Sequence, residues 1–226
     1  MTQKINRLIL SLLEKTDMAT DSFDRKSHWE NIYQSKQLHE VSWYQPTPET
    51  SLILIQEYAK DKTLPVIDIG GGDSFLVDHL LDLGYTDITV LDISSAAIDR
   101  AKKRLGNRAG KVHWIIEDAG KFIPDRTYFI WHDRAAFHFL TDNADIDSYL
   151  SAAKKGIAPN GVFILGTFSE NGPKKCSGIE IKQYNEQEMI KTFSDGFEKM
   201  KCLNIDHKTP FDTIQNFLFC CFRRKG

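Results

Sequence analysis

Val66-Ile67-Asp68-Ile69-Gly70-Gly71-Gly72-Asp73-Ser74 reads as a short apolar strand that runs through three glycines into a helix. Glycine belongs where the backbone turns sharply and a ligand must lie against it. The helix over 74–83 carries Leu76, Val77, Leu80 and Leu81 on one face, with Gly84 past its end. The alternation then repeats. Ile88-Thr89-Val90-Leu91 is a second strand, and Ser94 or Ser95 caps a helix with Ala97, Ile98, Ala101 and Leu105 on its buried face. Further strands follow at 112–116, 128–131 and 162–165, the last after a helix over about 144–155 that ends at Gly156. Short, nearly continuous apolar strands separated by helices mark a parallel sheet covered on both faces, an α/β fold. The C-terminal part differs: a helix over about 186–198 precedes strands at 201–207 and 216–222, which can pair antiparallel at the sheet edge.

The chain has 226 residues, a formal net charge of −2 and 41% hydrophobic residues. That is enough for one sizeable core. The charge balance gives no broad attraction to nucleic acid or acidic membrane, and Phe222-Arg223-Arg224-Lys225 reads as a solvated tail. No apolar run approaches the roughly 18 residues of a membrane span. Leu8 to Leu13 is followed by Glu14, Lys15 and Asp17, so it reads as an amphipathic arm and not a signal peptide. Met18 is a possible alternative start, which leaves open whether residues 1–17 have a function. A cytoplasmic protein with four reduced cysteines is expected: Cys176, Cys202, Cys220 and Cys221 show no metal-ligand spacing, and no metal is indicated. The N-terminal segment is rich in aromatics. His28 to Tyr33 looks helical with Trp29 and Tyr33 on one face, and Trp43-Tyr44 precedes Pro46. Residues 1–46 are read as a helical arm or lid, and 47–226 as the main domain.

Ligands of parallel α/β sheets bind outside the carboxyl ends of the strands. Asp92 ends the second strand about 20 residues beyond the glycine loop, where a carboxylate can accept from both hydroxyls of a ribose. A dinucleotide fingerprint would need a small residue where Phe75 stands, and a pyrophosphate gains nothing from Asp68 and Asp73. A cationic, phosphate-free cofactor such as S-adenosylmethionine (SAM) suits an acidic loop better. No Gly-Lys-Ser/Thr follows, which excludes a Walker A loop.

These motifs resemble those of the class I SAM-dependent methyltransferases. Asp68, Gly70 and Gly72 match the family's first motif, with Ser74 where a third glycine is common. Leu91-Asp92-Ile93-Ser94 is similar to the ribose-binding second motif, and Glu117-Asp118-Ala119 to the third, which meets the adenine. The resemblance extends over about residues 28–224. It implies a Rossmann-like three-layer sandwich, with a seven-stranded, mostly parallel sheet and a C-terminal antiparallel strand. It implies SAM as cofactor and S-adenosylhomocysteine as product. The expected cofactor residues are Asp68, Gly70, Gly71, Gly72, Asp73, Ser74, Asp92, Ile93, Glu117, Asp118, Ala119, Asp133 and Trp43.

The acceptor is less legible. The fourth strand leads into Trp131-His132-Asp133-Arg134-Ala135-Ala136-Phe137-His138-Phe139, with no Asn/Asp-Pro-Pro-Tyr/Phe motif, so methylation of a nucleic-acid base is not expected. Asp133-Arg134-Ala135-Ala136 is similar to thiopurine-type enzymes that act on small thiols. Trp29, Tyr33, Trp43 and Tyr44 resemble residues of those enzymes and also of METTL-like lysine methyltransferases. A small-molecule acceptor, such as a thiol, is the first expectation and a protein lysine the alternative; a SAM-binding protein without transfer activity is the non-enzyme alternative. A lidded pocket favours the first, and an open acidic groove the second. His132, Asp133 and His138 are the candidate acid–base residues. Trp29, Tyr33, Tyr44, Lys174, Lys175 and Tyr184 are the candidate acceptor contacts, the lysines for an anionic substrate. The oligomeric state is left open.

Overall fold

The computed structural model describes residues 23–226. The expected arm over Leu8 to Leu13 lies outside them. The described chain begins with helix α1 (Arg25–Ser35), which Asp24 caps by accepting from the Ser27 amide at 3.1 Å. Helix α2 (Glu49–Tyr58) follows. The α/β alternation then runs β1 (Val66–Ile69), α3 (Leu76–Asp82), β2 (Ile88–Asp92), α4 (Ser95–Leu105), β3 (Val112–Ile116), β4 (Tyr128–Arg134), α5 (Asn143–Gly156) and β5 (Ile157–Phe168). A small hairpin, β6 (Lys175–Cys176) and β7 (Ile179–Glu180), precedes α6 (Glu186–Phe193), β8 (Phe197–Lys208) and β9 (Ile214–Arg224).

Seven strands form one sheet in the order β3-β2-β1-β4-β5-β9-β8. The first five pair in parallel, and β9 runs antiparallel between β5 and β8. This is the Rossmann-like sandwich with a reversed C-terminal strand that the motifs imply. Strand side chains alternate between two cores. Val66, Val90, Ile130 and Ile164 pack with α2, α3 and α4 on one face. Ile67, Ile69, Leu91, Trp131 and Phe163 pack with α5 and α6 on the other. Burial on both faces accounts for the near-continuous apolar strands.

Two expectations are corrected, and one element is added. The helix expected over 186–198 stops at Phe193, because Gly196 takes φ +95° and Phe197 opens β8. The segment 168–184, for which the sequence pattern assigns no strand, contains the β6–β7 hairpin. Its turn residues Ser177 and Gly178 both have positive φ, as a tight two-residue hairpin turn requires. The cysteines are not all reduced. The β8–β9 register sets Cys202 directly opposite Cys220, with Cα atoms 4.1 Å apart, and the two are joined by a disulfide. Cys220 does face away from Cys221, as neighbours on a strand must. Its partner comes from the other strand.

Cys176 and Cys221 stay free and buried. Thiol titration of the denatured, unreduced protein should therefore count two thiols, and four after reduction. A count of four before reduction would show that the cross-strand bond does not form.

Candidate cofactor and acceptor site

The carboxyl ends of four strands lie level. Ile69 pairs with Leu91 on one side and Asp133 on the other, and Asp92 pairs with Ile116. Gly70, Asp92 and Arg134 therefore emerge side by side along one edge, with Glu117 one residue beyond their level. A cavity over this edge is walled by Gly70, Asp92, Ile93, Asp118, Ala119, Arg134 and Ala136. Trp29, Tyr33, Trp43 and Phe139 roof it. A second recess along the glycine loop is lined by Asp68, Gly70, Gly71, Asp73, Ser74, Tyr44, His132 and Arg134, among others.

The loop has no room for side chains. Gly72 sits at φ +42°, and a Cβ there would lie 2.6 Å from Asp92 Oδ2 and 3.0 Å from the Tyr33 hydroxyl. Gly70 sits at φ +68°, with Ala136 Cβ 2.7 Å from where its own Cβ would be. Both are conformations that glycine adopts freely. Asp92 Oδ1 accepts from the Ser94 amide at 2.8 Å, which leaves Oδ2 toward Gly72. Asp92 is buried although it ends its strand. Burial, reinforced by the nearby charges of Asp68 and Glu30, pushes its carboxyl up to about 7. A carboxylate short of donors beside a bare backbone cradle fits a ribose diol.

Helix α1 is held over the edge by three polar anchors. Glu30 accepts from Ser94 Oγ (2.8 Å), Ser95 Oγ (3.0 Å) and the Ala96 amide (3.2 Å), which places its charge at the N-terminus of α4. Arg100 donates to the carbonyls of Tyr33 (2.8 Å) and Lys36 (2.7 Å). Arg25 pairs with Asp118 (3.1 Å) and Asp145 (2.8 Å). Its aromatics then pack edge-to-face, Trp29 on Trp43 (5.7 Å) and on Phe139 (4.9 Å between centroids). Nothing in the sequence marks Glu30, Arg25 or Arg100 for this task, because each acts on an element remote in the chain.

Several expected site residues have other work. Asp73 is bound by Arg100 (2.8 Å) and Arg104, so its carboxylate braces α4 against the loop and is not available to a cofactor. Asp133, expected both at the cofactor and in catalysis, is fully buried. Its carboxylate accepts from the Tyr149 hydroxyl (2.6 Å) and the amides of Ala136 (2.9 Å) and Phe137 (3.2 Å), fixing the turn after β4. His132 bridges Asp68 (2.7 Å) and Ser51 of α2 (2.8 Å), with both ring nitrogens used. His138 is buried beneath Phe139 and Phe168. Burial and the Arg134 charge depress it to about 3, so it stays neutral, with Nδ1 accepting from the Phe168 amide. None of the three stands ready as a base. Lys174 and Lys175 lie in the hairpin region outside the cavity walls, and Lys175 faces Glu180 at 3.6 Å. Tyr184 is buried and stacks on Phe137, which removes it from the acceptor. Tyr44 packs on Phe75 at the recess instead of under the roof. Asp118 lines the cavity, but Arg25 and the Gly120 amide (2.9 Å) already occupy its oxygens.

The cavity opens into a broad groove between α1 and the β6–β7 hairpin. Trp29, Ile93, Glu117, Asp118 and Phe139 belong to both. The groove carries six carboxylates, Asp24, Glu117, Asp118, Asp142, Asp145 and Glu180, against Arg25, Lys26 and Lys121.

Residues 67–163 match a family model described as a methyltransferase domain. The chain is 31% identical over 139 residues to the mouse eEF1A lysine and N-terminal methyltransferase, a match that covers 61% of this chain and 19% of that protein. It is 24% identical to malonyl-[acyl-carrier protein] O-methyltransferase 2 of Ilyobacter polytropus, over 52% of this chain and 48% of the relative. The fold superimposes on the N-methyltransferase NodS of Bradyrhizobium japonicum, solved with S-adenosylhomocysteine, at a TM-score of 0.68, 15% identity, and coverage of 90% of this chain and 100% of that one. Residues 67–163 thus resemble a methyltransferase domain, and the described chain shares the fold of that solved N-methyltransferase. The chain spans about a fifth of the length of the eEF1A methyltransferase it matches.

Asp92→Asn keeps an acceptor for the Ser94 amide and replaces the oxygen that faces Gly72 with a donor. Isothermal titration should show SAM binding weakened at least about tenfold, since a hydrogen bond to a charged group is worth about 1.5–3 kcal/mol. Ribose hydroxyls favour the ionised carboxyl. Wild-type affinity should therefore hold above pH 7 and fall as pH drops below it, while Asp92→Asn stays flat. Stability follows the opposite sign. A carboxyl raised in the folded state binds a proton that the unfolded chain has lost, so Asp92's contribution to the free protein's stability grows as pH falls from 7 toward about 4. Affinity independent of pH in the wild type would remove Asp92 from the ribose site.

Proposed function

We propose that this chain methylates an amino group, using SAM held along the strand edge and an acceptor that enters through the acidic groove. The observation that carries the reading is the groove itself, rich in carboxylates and running under Trp29 and Phe139 into the roofed cavity. It supports the alternative expected from the sequence, a lysine side chain on a protein or peptide, over a small thiol. The relatives agree in part: one is named for lysine and N-terminal methylation, another for O-methylation.

Gly70, Gly72 and Asp92 would hold the adenosine and the tail's root, and Ile93 and Ala119 would flank the adenine. Bound SAM supplies a methyl group on a sulfonium, open to in-line attack by a lone pair. The chain's own task is then to align the acceptor and exclude water. Carboxylates of the groove attract a cationic amine. Trp29, Tyr33, Trp43 and Phe139 offer aromatic faces to it. Passing under them strips its water, and desolvation lowers the pKa of an ammonium. An amine so treated sheds its proton to solvent in the groove and needs no dedicated base, which suits a site where His132, Asp133 and His138 are all engaged elsewhere. A second reading, a small cationic amine, is favoured by the tight anchoring of α1, which narrows the entrance.

Incubation with methyl-labelled SAM and either a protein lysate or a metabolite extract tests both. Base-stable label on lysine or an N-terminus supports the first reading, and base-stable label on a small amine the second. Label released by mild base, or found on sulfur, would overturn amine methylation. Glu180→Lys reverses a charge in the groove away from the cofactor. It should raise KM for a basic acceptor several-fold, more at low salt, with kcat little changed.

A further inference from the structure

Arg134 has no assigned role in the site described above, yet it stands at the centre of it. It ends β4 one residue beyond the Ile69–Asp133 pair, so it lies beside Gly70. It lines both the cavity and the glycine-loop recess. Nη1 donates to the Trp43 carbonyl at 3.1 Å, and the guanidinium lies over the Phe217 ring at 4.8 Å. Nη2 is buried and has no hydrogen-bond partner among the described residues. No carboxylate of the described residues forms a salt bridge with it. Asp68, whose charge it feels, already gives Oδ1 to His132. A desolvated guanidinium without a counter-ion is costly, and an unmet donor beside a ligand cavity points to an anion that arrives with the ligand.

The sheet indicates which anion. Adjacent strands stand about 4.8 Å apart, so the level strand ends form a ruler. In SAM, the adenine, ribose and methionine tail follow one another. With the adenine beside Ala119 after β3 and the ribose at Asp92 on β2, the tail crosses Gly70 on β1, and the next strand end is β4. We propose that Arg134 binds the methionine carboxylate of the cofactor, through Nη2, and so fixes the tail on the side away from the adenosine. The planar fork of an arginine matches a carboxylate. This inference rests on SAM being the cofactor.

The test compares SAM with decarboxylated SAM, which lacks only that carboxylate, by isothermal titration. Wild type should prefer SAM by at least about tenfold. Arg134→Met should lose about that factor for SAM and leave decarboxylated SAM nearly unchanged, so that the preference vanishes. Arg134→Lys should recover part of it by restoring the charge. Circular dichroism and the undiminished binding of decarboxylated SAM report that the variants are folded. Wild type that binds neither ligand would overturn the cofactor assignment itself. Wild type that binds both ligands equally, or an Arg134→Met variant that keeps the preference, would overturn the role of Arg134 alone. An Arg134→Met variant with unchanged SAM affinity but a raised acceptor KM would also overturn it, and would assign the guanidinium to an anionic acceptor.

Discussion

The in-step parallel pairing of β1 with β2 and β4 is the constraint on which the site depends. Because Ile69 meets both Leu91 and Asp133, three chain segments far apart in sequence end at one level. Their next residues, Gly70, Asp92 and Arg134, form a row whose spacing the backbone hydrogen bonds set. A slip by one residue would turn each of these side chains to the other face of the sheet. The glycine loop adds only what the row requires, which is the absence of Cβ atoms between Asp92 and Ala136.

On the α2 face, the same pairing places Asp68 beside His132, and Ser51 of α2 completes the chain of hydrogen bonds. A buried carboxylate needs such partners. The network holds Asp68 at the back of the recess and ties α2 to the sheet. On the α5 face, Tyr149 and Trp131 close around Asp133 in the same way. Each conspicuous acid or base at the end of β4 is thus part of the frame. Asp92 and Arg134, at the same edge and lining the cavity, are left incompletely paired.

The fold was legible because burial on both faces makes the strands apolar and the glycines punctuate them. That Gly70, Gly72 and Asp92 share one edge was legible because they follow one another at strand ends along the chain. Two kinds of feature were hidden. Pairings between remote elements have no local signature: Cys202 meets Cys220 only through the β8–β9 register, and Glu30 meets Ser94 only when α1 docks on α4. The roles of polar side chains depend on what already occupies them. Asp73 and Asp133 look available in a loop of acidic and glycine residues, but Arg100, Arg104 and Tyr149 take their lone pairs. Lys174 and Lys175 were expected to meet an anionic substrate, whereas Arg134 is a cation that lines the cavity itself.

Helix α1 couples the two halves of the candidate site. Glu30 accepts from the Ala96 amide in the first turn of α4, and α4 begins shortly after the strand that ends in Asp92. Arg100, on the same helix, holds the carbonyls at the far end of α1 while it pairs with Asp73 of the glycine loop. The helix that roofs the cavity is therefore fastened to the helix that follows β2 and, through Arg100, to the glycine loop. Release of α1 would leave the N-terminus of α4 without its carboxylate and the Arg100 guanidinium with Asp73 alone. The roof and the floor are stabilised by the same bonds, so the groove between Trp29 and the β6–β7 hairpin is an entrance to the cavity that leaves α1 in place.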